Sequence, residues 1–152
     1  MLRIGSLELE NGFMLAPMAG ITALPFRLMV KRLGAGLVFT EMISAEGLSR
    51  GQRRTLEYLK THPGEKPVAA QIFGSEHRSM ARAAQIALSA GADAVDINMG
   101  CPVRKVARTG AGASLMRDPK KVARIVSAVR LACPAPLTVK VRAGWSRAVS
   151  YT

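Results

Sequence analysis

The sequence predicts an α/β fold made of repeated βα units, and three observations carry that expectation. Short apolar runs alternate with longer segments of helical periodicity, Gly and Pro punctuate the joins, and the unusual polar residues fall just after the apolar runs. Strands are expected near 13–16, 37–40, 68–72, 93–97 and 137–141, with helices near 24–33, 45–58, 76–90 and 118–131. Each helix is long enough to make a right-handed crossover between parallel strands.

The elements follow in chain order. A β-hairpin is expected first, with Leu2 to Ile4 and Leu7 to Leu9 as its arms and Gly5-Ser6 as its turn. The first parallel strand runs into Ala16-Pro17-Met18-Ala19-Gly20, which lacks the Gly-x-Gly-x-x-Gly turn of a classical dinucleotide fold. In the helix near 76–90, Met80, Ala83, Ala84, Ala87 and Leu88 form one stripe; Ser75 is the expected N-cap and Gly91 the expected stop. In the last helix Asp118 caps, Pro119 suits the first turn, and Val122, Ile125, Val126 and Val129 make the apolar face. Barrel enzymes keep their chemistry on the loops after the strands, which is where the polar residues of this chain recur. The expected architecture is therefore of the TIM (β/α)8-barrel type. With about five strands it is an incomplete barrel, one domain over residues 1–152.

Composition bounds the function. The 152 residues are 49% hydrophobic, enough for a core, and carry 22 basic against 10 acidic side chains, a net charge of +12. Eleven of the basic residues lie beyond Met99 against one acid, Asp118, so one basic side of a folded unit is expected to face a polyanion. Cys101 and Cys133 make no disulfide framework, and no Cys-x-x-Cys or His/Cys cluster offers a metal site. No run of residues is apolar enough to span a membrane, and the start MLRIGSLELENG reads as neither a secretory signal nor a transit peptide. A soluble, cytoplasmic protein is expected.

Several residues could carry chemistry. The small residues and proline of LAPMAG let backbone approach a flat ligand, with Met18 as a soft contact. Gln71 places an amide, both donor and acceptor, at the end of the third strand, as the edge of a heterocycle requires. After the fourth strand, DINMGCPVRKV brings Asp96, Asn98, Cys101, Arg104 and Lys105 to one mouth, and Gly100 and Pro102 hold the thiol in a bend. That thiol suits a general acid while protonated, or a nucleophile if nearby cations lower its pKa, and spacing does not separate the two. Lys140 and Arg142 share one strand face, where two cations call for an anion or an electron-rich ring such as a flavin.

Taken together, APMAGITALPFR, TEMISAEGL, QIFG, DINMGCPVRKV, GASLM and TVKVRAGW resemble the tRNA-dihydrouridine synthase family, most closely its bacterial B-type branch, from about Ile4 to Trp145. The resemblance implies an FMN-binding barrel followed by a small helical domain that grips tRNA. It implies that Pro17, Met18 and Ala19 line the flavin, that Gln71 and Lys140 bind it, and that Cys101 is the catalytic acid. Asn98 would face flavin and target uracil, while Lys105 and Arg142 would sit within reach of substrate or tRNA. The implied reaction reduces a specific uridine of tRNA to 5,6-dihydrouridine with NADPH-reduced FMN. Three barrel strands and the helical tRNA-binding domain are missing from the expected whole, and after Trp145 the stretch SRAVSYT drifts from the family's pattern. A fragment of this kind is expected to have little activity alone and to self-associate through open barrel edges. Two rival readings stand beside this one: an FMN barrel oxidoreductase acting on free pyrimidines, and a non-catalytic basic RNA-binding fragment.

Overall fold

The computed structural model describes residues 1–144; Trp145, Arg147 and the rest of the final segment lie outside the described residues. The hairpin forms as expected, β1 (Leu2–Ile4) pairing antiparallel with β2 (Leu7–Leu9). There follow β3 (Met14–Leu15), α1 (Leu24–Arg32), β4 (Leu37–Phe39), a two-residue β5 (Ile43–Ser44), α2 (Ala45–Ser49) and α3 (Arg53–Leu56). The chain continues through β6 (Val68–Phe73), α4 (His77–Ser89), β7 (Ala94–Met99), the short α5 (Arg104–Ala107), α6 (Pro119–Ala132) and β8 (Leu137–Val141).

The strands lie in the order β3-β4-β6-β7-β8, all parallel, and β5 pairs with the upper end of β6. Successive βα units thus run across the sheet in chain order, as in one half of a (β/α)8 barrel. Two faces result. On the outer face Ala70, Ile72, Val95, Ile97 and Met99 pack against Met80, Ala83, Ala84 and Ala87 of α4 and Ile125 and Val129 of α6. The three alanines let α4 approach both the sheet and α6 closely, which is what the periodicity of its sequence requires.

The inner face is divided by height. At its lower end Leu37, Phe39, Ala69 and Ala94 gather around Leu9, so the hairpin floors the half-barrel. Above them on the same face, register sets Gln71 beside Asp96 and Asp96 beside Thr138, with Asn98 beside Lys140 one step higher. Apolar burial thus gives way to polar groups toward the carboxyl ends of the strands.

Two expectations are corrected. The helix near 45–58 is broken into α2, α3 and a 3₁₀ turn at Glu57–Leu59, because Gly51 adopts a φ of +65°, a left-handed conformation that ends α2. The cap of α4 is Glu76 rather than Ser75: the Glu76 carboxylate accepts from the Ser79 amide at 2.7 Å, a charged acceptor at the positive end of the helix. Those backbone amides, chiefly of Arg78 and Ser79, hold the Glu76 carboxyl below its ordinary range. Asp118 caps α6 as expected, its Oδ1 accepting from the Lys121 amide at 3.0 Å, and Gly91 follows α4 with its N–H on the Leu88 carbonyl.

One buried ion pair was not legible in the sequence. Arg27 of α1 and Glu65 meet at 2.6 Å, 2% and 0% exposed, and neither retains an idle polar group. Arg27 also donates to the carbonyls of Thr22 and Lys60, each at 2.9 Å, while Glu65 accepts from the His62 amide at 3.0 Å. Satisfied on all sides, the pair ties the loop after β3 to the segment before β6.

Candidate functional site

The strand ends build a hydrogen-bonded row. On β6, the Gln71 amide nitrogen donates to Asp96 Oδ2 at 2.6 Å, and its Oε1 accepts from Asn98 Nδ2 at 2.9 Å. Thr138 on β8 donates to Asp96 Oδ1 at 2.6 Å. Thr40, at the end of β4, accepts from the backbone N–H of Gln71 at 3.0 Å. Gln71, Asp96 and Asn98 are 1%, 2% and 7% exposed, so these bonds form away from water, where an unmade one would be costly. Burial pushes the Asp96 carboxyl above its ordinary range, against the opposing pull of Gln71, Thr138 and the Lys140 charge.

The row reaches the cysteine loop through its backbone. Asn98 Oδ1 accepts from the N–H groups of Gly100, at 3.2 Å, and Cys101, at 3.0 Å. From the other side the Cys101 carbonyl accepts from Ala113 N at 3.0 Å, within the GASLM segment. Gly112 is required there: a Cβ on it would stand 2.6 Å from the Cys101 carbonyl oxygen. Arg142, just past β8, donates from Nε to the Gly100 carbonyl at 2.8 Å. Cys101 itself is a free, half-buried thiol, whereas Cys133 is buried, and burial pushes the Cys133 thiol up.

The remaining sequence-derived candidates spread around this row. Pro17 is half-buried and Met18 and Ala19 are exposed in the loop after β3, where the Thr22 hydroxyl donates to the Met18 carbonyl and accepts from its N–H, both at 3.1 Å. Glu41 accepts from the Gly20 amide and anchors the loop's tip. Lys140 is exposed, one register step above Asp96. Lys105 is exposed on α5 beside Arg104 and joins no bond in the row. Thr40 and Thr138 are the residues that sequence reasoning missed. The signal for Thr138 was the period of two that puts it on the face of Lys140. A cavity of about 360 Å³ among Leu24, Pro25, Arg54 and Tyr58 lies off the row, for neither Gln71, Cys101 nor Lys140 lines it.

The family model described as dihydrouridine synthase matches residues 14–151. The chain belongs to the dihydrouridine synthase family. It is 45% identical over 147 residues to tRNA-dihydrouridine synthase B of Pseudomonas putida, covering 96% of this chain and 43% of the relative. It is 46% identical over 145 residues to tRNA-dihydrouridine synthase B of Xanthomonas campestris pv. campestris, covering 95% and 43%. The chain thus spans less than half the length of these relatives.

Solved structures share the fold at much lower identity. Morphinone reductase superposes with a TM-score of 0.56 at 14% identity, over 95% of this chain and 62% of its own. A variant of NCR from Zymomonas mobilis gives 0.51 at 20%, over 92% and 57%. The half-barrel is therefore of a recurrent barrel architecture. Among the described residues no helix is long and apolar enough to cross a membrane, and no three His, Cys, Asp or Glu side chains gather as a metal site.

Proposed function

We propose that this chain carries the thiol and part of the flavin site of a tRNA-dihydrouridine synthase, which reduces specific uridines of tRNA to 5,6-dihydrouridine. The observation that carries the proposal is the half-buried Cys101 thiol in a loop whose backbone is bonded, through Asn98, to Gln71 and Asp96 at adjacent strand ends. Family membership and relatives named tRNA-dihydrouridine synthase B support it.

The donor set fits FMN. After its bonds to Asp96 and Asn98, the Gln71 amide keeps one N–H and one oxygen lone pair, the pair of functions that a heterocycle edge takes, and because Gln71 is 1% exposed a ring reaches them only as the side chains above it give way. Lys140 adds a cation at the next register step, suited to a ring that becomes anionic on reduction, and Pro17, Met18 and Ala19 offer a wall of small or soft groups. When bound, FMN reduced by NADPH supplies hydride chemistry.

Saturating the uracil 5,6 double bond takes one hydride at C6 and one proton at C5. In this proposal the Cys101 Sγ–H gives the proton and is left as thiolate, to be reprotonated from solvent. Asn98 holds the loop so that the sulfur stays at the mouth. A base inside a folded tRNA must leave its stack to reach that mouth. The basic side chains beyond Met99 supply the phosphate contacts, and these weaken as salt rises.

Cys101→Ala in the full-length protein tests the assignment. Flavin absorbance is expected to persist while dihydrouridine formation falls about 100-fold or more, the usual worth of a general acid. Unchanged turnover removes the thiol from the reaction. Reduction of free uracil without tRNA would move the substrate to a small pyrimidine instead.

A further inference from the structure

We infer that Asp96 is a positioning residue: it sets which end of the Gln71 amide donates and which accepts, and through Asn98 it fixes the backbone of the Cys101 loop. This deepens the proposed function and rests on its reading of Gln71 and Cys101 as working groups of the site.

The inference follows from the two ends of the row. At one end stand the backbone N–H groups of Gly100 and Cys101, which can only donate. They require Asn98 to present its oxygen, so its nitrogen faces Gln71. Gln71 must then present its oxygen to Asn98 and its nitrogen to Asp96. At the other end an ionised carboxylate can only accept, and Asp96 takes Gln71 on one oxygen and Thr138 on the other. Both ends demand the same arrangement. A glutamine amide between neutral partners could turn over at little cost; this one is held from two sides.

The terminal hydroxyl makes the row tolerant in one place. Thr138 can accept as well as donate, so an amide or a protonated carboxyl at position 96 would turn its own donor toward Thr138 and leave Gln71 undisturbed. Asp96→Asn is therefore the conservative variant, expected to keep the Gln71 orientation. Asn98→Asp is the disruptive one. The introduced carboxylate offers acceptors to Gly100 and Cys101 but has nothing to donate to Gln71, whose oxygen repels it out of the row and away from those amides, and whose reversal would aim that oxygen at the Asp96 carboxylate. Combining the two changes makes the row whole with opposite polarity. The amide introduced at 96 donates to Gln71, and Gln71 donates to the carboxylate introduced at 98.

The swap is the test, read on the chain itself by side-chain amide NMR of Gln71 and by hydrogen exchange of the Cys101 backbone N–H. Asp96→Asn alone is expected to leave Cys101 exchange at its wild-type rate and, although loss of the charge shifts their resonances, to keep the Gln71 side-chain amide protons in NOE contact with position 96. Asn98→Asp alone is expected to speed Cys101 exchange about tenfold or more, roughly one buried hydrogen bond's worth, or to unfold the chain. Asp96→Asn/Asn98→Asp is expected to restore slow exchange, or folding, while the Gln71 side-chain amide protons exchange their NOE contact with position 96 for one with position 98. A double variant no better protected than Asn98→Asp, or unfolded like it, overturns the inference, as does an Asp96→Asn variant whose Gln71 amide protons turn away from position 96. FMN titration of the full-length protein is a separate readout. Full-length wild type that takes up no FMN, while the swap still rescues exchange in this chain, would sink the flavin reading and leave the role of Asp96 standing.

Discussion

Strands β7 and β8 are neighbours with the same parallel register and the same alternation of aliphatic and polar residues, yet their surroundings differ sharply. All six residues of β7 are buried; of the five in β8, two are half-buried and three exposed. Ile97 and Val139 lie abreast on the outer face, the first fully buried under α4 and α6, the second 37% exposed. Asp96 and Thr138 are abreast on the inner face, and there β8 still contributes, because the Thr138 hydroxyl completes the carboxylate's shell. The contrast teaches that a strand's own pattern sets which face a side chain takes, while neighbours on both flanks decide whether the face is dry. Among the described residues β8 has a neighbour on one flank only.

The largest expected effect is on the matched aliphatic pair. Ile97→Ala should lower unfolding free energy by about 2–5 kcal/mol, as for other core truncations. Val139→Ala, with fewer packed neighbours, should lower it by less than about 1 kcal/mol. Chemical denaturation of both variants gives the difference directly; equal losses would mean that the outer face of β8 is covered in solution.

A second contrast is electrostatic. The folded Asp96 carboxyl lies above its unfolded value of about 3.9, so the folded state binds its proton more tightly. As pH rises from that unfolded value through the raised folded one, wild type should therefore lose stability relative to Asp96→Asn. Below this window the difference should level off. Thermal melts of the two proteins across the acid range check the sign. A wild type that gains on the variant as pH rises would show that Gln71, Thr138 and Lys140 outweigh burial.

The smallest expected change is on the open edge. Val141 is 56% exposed and borders an apolar groove of about 460 Å³ with Met99, Val122 and Val126, and Phe13 is 77% exposed near the opposite edge strand, β3. Bare edges and apolar patches of this kind favour self-association. Val141→Lys should shift gel-filtration elution toward monomer at nearly unchanged stability, and an elution volume that does not move would remove this edge from any association.

Periodicity made the βα repeat, the hairpin and the inner face legible, because two and 3.6 residues are the periods of strand and helix. The break after Ser49 was not, since RGQRRTLEY continues a helical pattern and a lone Gly51 is tolerated in many helices. Gln71, Asn98 and Cys101 could be singled out as polar residues at strand ends. That Gln71 bridges Asn98 to Asp96, and Thr138 completes the Asp96 carboxylate, depends on register between strands up to 42 residues apart, which no local pattern encodes. The pairing of Arg27 with Glu65, 38 residues apart, is hidden for the same reason.

That pairing has a bearing on how quickly a guest could be received. Glu65 grips Arg27, Arg27 grips the carbonyl of Thr22, and the Thr22 hydroxyl fastens Met18, so the turn beside the mouth is braced from beneath by groups no visitor touches. The entropy of ordering that turn is spent once, when the chain folds, and not again at each encounter. If Pro17, Met18 and Ala19 wall the proposed flavin site, capture there should then proceed at the pace of arrival, with no slow reshaping of this turn trailing behind it.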